Sequence, residues 1–411
     1  IDIVRDKITG LLCAPMDSKD MASKILEYYH DMDLCDSVAE AAHEMVLKLF
    51  TLNRMMASTV DVYEQTRQTK RILVIKTSAL GDVILVTPSL RAIRSKYPQA
   101  NIKVLVSIDH KNVLRNCPYI DELIVCDFKY RDKGFKGLMR LAGILKEEDF
   151  DMVVDLQNNK KSHLLSFLSC ASERYGYDNG KFSFLLNRKV KDTRLPVNPI
   201  DHQMRVLKLF GIHRMEKTPD IYCSAEDMIW ATDFLNNNWI KPTSVFVCMN
   251  LEASPKWQSK RWPVEYFLHV ADKLAQELSV RVVIIGVDPK DISNVIFMKR
   301  SKAKPVSAVG KTNIGQLTAL IEKSSLVITG DSAPMHVAAG VQTPFIGLFG
   351  PTSEKRHVAP VKNSKIIFAQ TKCRPCYKPS CNKGYICMHE IDPDRVFEEC
   401  KKMLKTKIKE I

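Results

Sequence analysis

Arg71-Ile72-Leu73-Val74-Ile75-Lys76-Thr77-Ser78-Ala79-Leu80-Gly81-Asp82-Val83 is the stretch on which the fold turns. Its opening apolar run reads as a short buried strand, and a turn of small residues then leads to a helix starting near Val83. The same alternation continues, with strands expected near residues 102–106, 122–126 and 152–156 and helices at 87–96, 136–147 and 161–170. A second series follows residue 240, with strands at 245–249, 282–285, 326–329 and 345–349 and helices at 263–278, 313–323 and 334–340. Strands that alternate with helices form parallel sheets covered on both faces. Two such series predict an α/β chain of two doubly wound, Rossmann-like domains with a cleft between them.

Outward from this body, residues 1–65 read as a separate helical extension. Asp17 is placed to cap a helix through Met21, Ile25, Leu26 and Tyr29, and Ser37-Val38-Ala39-Glu40 fits a capping box opening a second helix that runs to Phe50. The expected division is 1–65 for the extension, 66–235 for the first Rossmann-like domain, 236–391 for the second, and 392–411 for a closing helix begun by Asp392-Pro393-Asp394. A chain of 411 residues needs more than one core, which agrees with this division.

Charge separates the same regions. Residues 1–65 hold 12 acidic and 6 basic residues, while the whole chain carries +14, so the remainder carries +20. A basic body suits an anionic partner, whether a nucleotide diphosphate, a phospholipid surface or nucleic acid. No apolar run reaches the ~20 residues of a membrane-spanning helix, and the opening residues do not read as a secretory signal. A cytoplasmic location is expected, peripheral to the inner membrane if the basic surface meets anionic lipid.

In open parallel sheets ligands bind beyond the carboxyl ends of the strands, so the residues after each strand carry the chemistry. Asp82 follows the first strand and can take a proton from an attacking hydroxyl, with Gly81 permitting a tight turn beside it. After a later strand comes Gly330-Asp331-Ser332-Ala333-Pro334-Met335-His336, a small-residue turn with proline just inside a helix start. Its outward backbone N–H groups and the positive helix end make an anion seat fit for a diphosphate. The loop Asn250 to Trp262 adds Lys260 and Arg261, either able to meet phosphate charge on a departing nucleotide. Phe349-Gly350-Pro351-Thr352 turns at the same end of the sheet.

Twelve cysteines are many for such a chain, and four of them cluster as Cys373-x2-Cys376-x4-Cys381-x5-Cys387. Four thiolates at close spacing suit a structural zinc or iron centre more than disulfides. Such a site, filled by four thiolates, has no open position for catalysis.

Taken in order, five motifs resemble the heptosyltransferases of glycosyltransferase family 9, which add heptose from ADP-heptose during lipopolysaccharide assembly. They are Lys76 to Asp82, Asp155-Leu156-Gln157, Lys260-Arg261-Trp262-Pro263, Gly330 to His336, and Phe349 to Thr352. The resemblance covers roughly residues 70–400. It implies a GT-B fold and an inverting transfer that needs no catalytic metal. Asp82 would be the general base, with Thr77, Ser78, Gly81 and Gln157 on the acceptor side. Lys260, Gly330, Asp331, Ser332, Ala333, Met335 and His336 would hold the ADP-sugar donor. Ala333 stands where the family commonly has glycine, and Leu251-Glu252-Ala253-Ser254 replaces its usual Pro-Gly. The extension resembles that of heptosyltransferases acting on autotransporter proteins, which also carry a four-cysteine metal finger. The acceptor is therefore expected among lipid-linked saccharides, other glycans or proteins. The rival readings are a GT-B transferase or epimerase using another nucleotide sugar, an inactive scaffold, and a nucleic-acid binder. The last is disfavoured because no basic stripe with interleaved aromatics is present.

Overall fold

The computed structural model describes residues 4–192 and 197–409, and the chain divides into two units, Ile1–Thr69 and Lys70–Ile411. The first unit contains the helices Ser18–His30, Met32–Leu49 and Leu52–Gln68. Asp17 caps the first as expected, its carboxylate accepting the N–H groups of Lys19 and Asp20 at 2.9 and 3.0 Å. The capping box at Ser37 does not form. The second helix starts at Met32, where Asp31 accepts the Leu34 N–H at 2.9 Å, and Ser37 lies inside it with its hydroxyl donating to the Leu34 carbonyl. Asp31, six residues before Ser37, offers the first turn of this helix a charged acceptor at its positive end, so the helix begins there. Among the described residues of this unit only Val38 is a buried apolar side chain.

The second unit contains two six-stranded sheets. The first holds β1 (Arg71–Ile75), β2 (Asn101–Ser107), β3 (Glu122–Cys126), β4 (Met152–Asp155), β5 (Glu173–Asp178) and β6 (Arg188–Lys191), in the order β3-β2-β1-β4-β5-β6. The second holds β7 (Phe246–Asn250), β8 (Arg281–Ile285), β9 (Val306–Ser307), β10 (Leu326–Gly330), β11 (Phe345–Phe349) and β12 (Ser364–Phe368), in the order β12-β11-β10-β7-β8-β9. Every pairing in both sheets is parallel. Both orders are the doubly wound pattern, with the strand order reversing at β1/β4 and at β7/β10.

Alternation along the central strands explains why both faces are covered. Leu73 and Ile75 enter one apolar cluster with Leu141 and Leu165, from the helices Gly134–Glu147 and Lys160–Leu168. Ile72 and Val74 enter another, which continues across to Cys248 and Val327 of the second sheet. One core therefore ties the two sheets together. Helix Ala225–Asn237 already packs on helix Ile314–Lys323, so the chain has reached the second sheet before residue 236. The closing helix, Pro393–Lys409, lies on helix Val264–Leu278 and buries Val396, Phe397, Cys400 and Leu404 in the second sheet's core. No helix among the described residues is long and apolar enough to cross a membrane.

Candidate active site

At the β1/β4 reversal the backbone is splinted by one amide. Gln157 Oε1 accepts the N–H groups of Thr77 and Ser78 at 2.9 and 3.1 Å, while its Nε2 donates to Ser78 Oγ at 3.2 Å. Gln157 and Asn158 are themselves held by the buried Asp155, whose Oδ1 accepts both N–H groups at 2.9 and 3.1 Å. Burial raises the Asp155 pKa against the pull of His163, whose Nε2 lies 3.6 Å from the second carboxylate oxygen. The side chain of Gln157 is thus spent on shaping the β1 loop. That loop delivers Asp82, third residue of helix Leu80–Ile84, to the crevice. Its carboxylate accepts the Ala79 N–H at 3.3 Å and stands 3.8 Å from Lys76 Nζ, yet the side chain remains 52% exposed. The carboxylate is therefore open to an incoming hydroxyl, as the expected role of a base requires.

The β7/β10 reversal is built differently. Asn250 Nδ2 donates to Glu252 O, Thr329 Oγ1 and Ser332 Oγ at 3.0 to 3.2 Å, and the two hydroxyls lie 2.9 Å apart. This network sets Ser332 at the start of helix Ala333–Gly340, with Pro334 in its first turn. Ala333 is the first helical residue and does not take a positive φ, so its methyl group puts no strain on the turn. Beside it, Asp331 Oδ2 receives Lys260 Nζ at 2.6 Å and Thr352 Oγ1 at 2.7 Å. Burial works to raise the Asp331 pKa, but the Lys260 charge, His357 and the two hydrogen bonds prevail and hold it below the ordinary carboxylate value. The Lys260 ammonium also lies over the Trp257 ring at 4.7 Å. Arg261, in contrast, is engaged two-pronged by Asp291 at 3.0 and 2.6 Å.

A cavity of about 660 Å³ opens over these groups, lined among others by Asn250, Trp257, Lys260, Asp331, Ser332 and, from the first sheet's side, Leu80. Its floor is the start of helix Ala333–Gly340, which orients positive backbone dipoles toward it. Glu252, in the loop that departs from Pro-Gly, folds back to accept the N–H groups of Val287 and Asp288 at 3.0 to 3.1 Å and so holds the β8 loop on the opposite rim.

Two of the expected donor residues face elsewhere. Met335 is buried in the core, and its N–H lies 3.2 Å from the Ser332 carbonyl. His336 is a junction: its ring packs on Gly81, where an added Cβ would come within 2.3 Å of His336 Cδ2. Gly81 has no positive φ, so the glycine serves this close approach and not a tight turn. Burial lowers the His336 pKa, opposed by Asp331 and Asp82, and leaves the imidazole neutral at pH 7. The contact joins helix Leu80–Ile84 to helix Ala333–Gly340, and Leu80, two residues before Asp82, lines the cavity. Three contributors went unassigned in the sequence: Asn250, Thr329 and Thr352. Each is an ordinary polar residue at a strand end, and only the strand order puts them together.

The cysteine segment lies behind the same site. Ser259 donates from its N–H to Pro379 O at 3.0 Å and from its hydroxyl to Lys378 O at 2.6 Å. Tyr377 N–H donates to Pro351 O at 2.9 Å, and Arg374 Nε to Gly350 O at 2.9 Å. The segment therefore braces the loops that carry Lys260 and Thr352. All four cysteines are free thiols. Burial raises the Cys387 pKa, and Cys373, Cys376 and Cys381 lie near enough to raise it further. As they stand, no three Cys, His, Asp or Glu side chains among the described residues form a group that could hold a metal ion.

Comparison with known proteins places this geometry. The sequence model of glycosyltransferase family 9 (heptosyltransferase) matches residues 138–386. The lipopolysaccharide core heptosyltransferase OpsX of Haemophilus influenzae is 28% identical over 357 residues, spanning 82% of this chain and 98% of its own. The crystal structure of a family 9 glycosyl transferase from Veillonella parvula superimposes with a TM-score of 0.75 at 26% identity, over 82% of this chain and 98% of that one. The iron-containing dodecameric heptosyltransferase TibC of enterotoxigenic E. coli, solved with ADP-D-β-D-heptose, shares the fold at a TM-score of 0.51 and 13% identity, over 82% and 78% of the two chains.

Proposed function

The chain belongs to glycosyltransferase family 9, the heptosyltransferases, and from that premise we propose that it transfers a heptose from ADP-heptose to a hydroxyl of a lipopolysaccharide-type saccharide, with inversion. The observation that carries the reading is the Gly81–His336 contact, which joins the short helix bearing the half-exposed Asp82 carboxylate to the helix that starts beside the Lys260–Asp331 pair, with Leu80 lining the cavity over that pair.

In this reading the ADP diphosphate lies at the start of helix Ala333–Gly340. Lys260 keeps one N–H on Asp331 and turns the others to phosphate, so the negative charge that grows on the leaving ADP meets a fixed ammonium and backbone N–H groups. The buried, ionised Asp331 holds that ammonium in place and leaves an oxygen for a donor-sugar hydroxyl. On the other side Asp82 takes the proton of the acceptor hydroxyl as its oxygen forms the new glycosidic bond and the bond to ADP breaks. Attack from the face opposite the leaving group inverts the anomeric carbon. The donor assignment draws support from OpsX and from the ADP-heptose complex of TibC.

A structural metal at Cys373, Cys376, Cys381 and Cys387 is a second part of the proposal, supported by the chemistry of four neighbouring free thiols. A metal drawn in by these thiolates would stiffen the brace behind Lys260 and Thr352. Elemental analysis of purified protein is expected to find about one zinc or iron per chain; a metal-free, fully active sample sinks this part alone.

The test of the main reading is thermal denaturation with ADP, UDP and GDP and their sugar conjugates. A ligand that binds only the folded chain at about 100 times its Kd adds about 2.7 kcal/mol of stability. The largest rise is expected with ADP-heptose. A selective rise with a UDP or GDP sugar would keep the fold and replace the donor, and no rise with any would defeat the reading.

A further inference from the structure

Three loops leave the carboxyl ends of β3, β4 and β5, the same end of the sheet as Asp82. The start of helix Lys160–Leu168 joins them. Lys161 stands over the Phe128 ring at 4.7 Å, Lys160 stands over the Phe182 ring at 5.7 Å, and the His163 ring is hydrogen-bonded to Lys181 O at 2.8 Å. From this platform four large rings face outward: Tyr130 is 81% exposed, Phe135 74%, Phe184 73% and Phe182 42%. Phe182 holds φ at 65°, a left-handed backbone that bulky side chains avoid, and its ring meets Phe184 edge to face at 6.0 Å.

Around the rings stand Lys133, Lys136, Lys160, Lys161 and Lys181, none of which makes an ion pair among the described residues. The aspartates of the β3 loop are turned inward. Asp132 is buried and bound by Arg140, and Asp127 accepts the N–H groups of Lys129 and Tyr130. A cavity of about 210 Å³, lined by Thr77, Ser78, Phe128, Asn159 and Lys161, connects the platform to the β1 loop.

Exposed rings beside uncompensated lysines fit neither a packed core nor an ordinary solvated face. They fit the boundary of an anionic bilayer, where aromatic rings settle among headgroups and ammonium groups meet lipid phosphate. We propose that the loops after β3 and β5, with the first turn of helix Lys160–Leu168, dock this protein on an anionic phospholipid surface. Phe182 and Phe184 enter the boundary, and the five lysines meet phosphate. Docked so, the carboxyl end of the first sheet faces the lipid, and an acceptor saccharide rooted in that surface reaches Asp82 without leaving it. The docking itself does not depend on which nucleotide sugar is the donor.

The experiment is co-sedimentation of the full chain with vesicles of phosphatidylcholine, alone or mixed with phosphatidylglycerol. Binding is expected only to the mixed vesicles, weakening as salt is raised. Phe182→Asn/Phe184→Ser, chosen so that residue 182 tolerates its left-handed backbone, is expected to lower it at least about tenfold, with an unchanged melting temperature. Phe184→Trp supplies a readout free of binding loss: its emission is expected to shift to the blue on the mixed vesicles. Undiminished binding of the double variant, or a tryptophan that stays solvent-like on bound protein, overturns the proposal. So does binding to RNA or heparin with none to vesicles.

Discussion

The two strand-order reversals are the same piece of topology put to opposite uses. At β1/β4 the polar groups are turned on the backbone: Gln157 and Asp155 splint the loop, and the one carboxylate left over, Asp82, is half in water. At β7/β10 they are turned on one another: Lys260 and Asp331, with side chains 16% and 5% exposed, close a pair that Thr352 completes. In the proposed reaction the first reversal offers an accessible proton acceptor, and the second a nearly buried, fixed field for the charge that develops on the leaving group. A shared strand order thus provides two places, and the residues after each strand decide what the place does.

If that contrast is right, damage on the two sides will register in different measurements. The largest effect is expected from Asp331→Ala, which leaves the Lys260 ammonium nearly buried without its counter-charge and costs about 3 kcal/mol in urea unfolding. The wild-type pair has an acid limb of defined sign. Because the folded pKa of Asp331 lies below 3.8, its contribution is present above that value and lost as pH falls through the folded pKa; the variant lacks this loss. An Asp331→Ala protein as stable as the parent would show that the second reversal is not held by its ion pair.

Asp82→Ala should do the reverse. Turnover is expected to fall by ~10²-fold or more, about 2.7 kcal/mol in the transition state, while the melting temperature and ADP affinity stay near the parent's. Equal turnover in steady-state assays would remove Asp82 as the base, and a large stability loss would erase the contrast between the reversals. The smallest effect sharpens the comparison at the join. Gly81→Ala places a methyl group where the His336 ring lies and is expected to cost about 1–2 kcal/mol by overpacking. His336→Ala in the same chain should recover part of that cost, and additive effects in the double-variant cycle would dissolve the contact.

The central strands were legible because they are buried on both faces: Ile72 to Ile75, Val282 to Ile285 and Phe345 to Phe349 are continuous apolar runs. The expected helix at 87–96 coincides with Thr87–Lys96, and that at 263–278 with Val264–Leu278. Four strands gave no signal: β5 (Glu-Arg-Tyr-Gly-Tyr-Asp), β6 (Arg-Lys-Val-Lys), the two-residue β9, and β12. All but β5 lie at sheet edges and β5 lies next to one, where partial exposure lets polar residues into the pattern. Helix Leu52–Gln68 was also unread, since its apolar residues such as Met55, Met56 and Val60 are exposed and mark no core-facing stripe.

At the site, the residues were easier to pick than their partners. Asp82, Lys260 and Asp331 stood out from their positions after strands. That Lys260 would spend itself on Asp331, 71 positions away, or that a glutamine would hold the β1 loop, depends on which strands are neighbours, and no local pattern states that. The glycine at 81 invited a reading in backbone angles and turned out to concern a neighbour 255 positions on.

That contact between Gly81 and His336 has a consequence for how such a chain can diverge. The imidazole on one sheet's helix fills the space that a side chain on the other's would need, so position 81 grows only at a cost while 336 keeps its ring. A larger residue at 81 becomes acceptable only after 336 has shrunk, and the two halves, however freely their outer loops vary, must change in that order at this point.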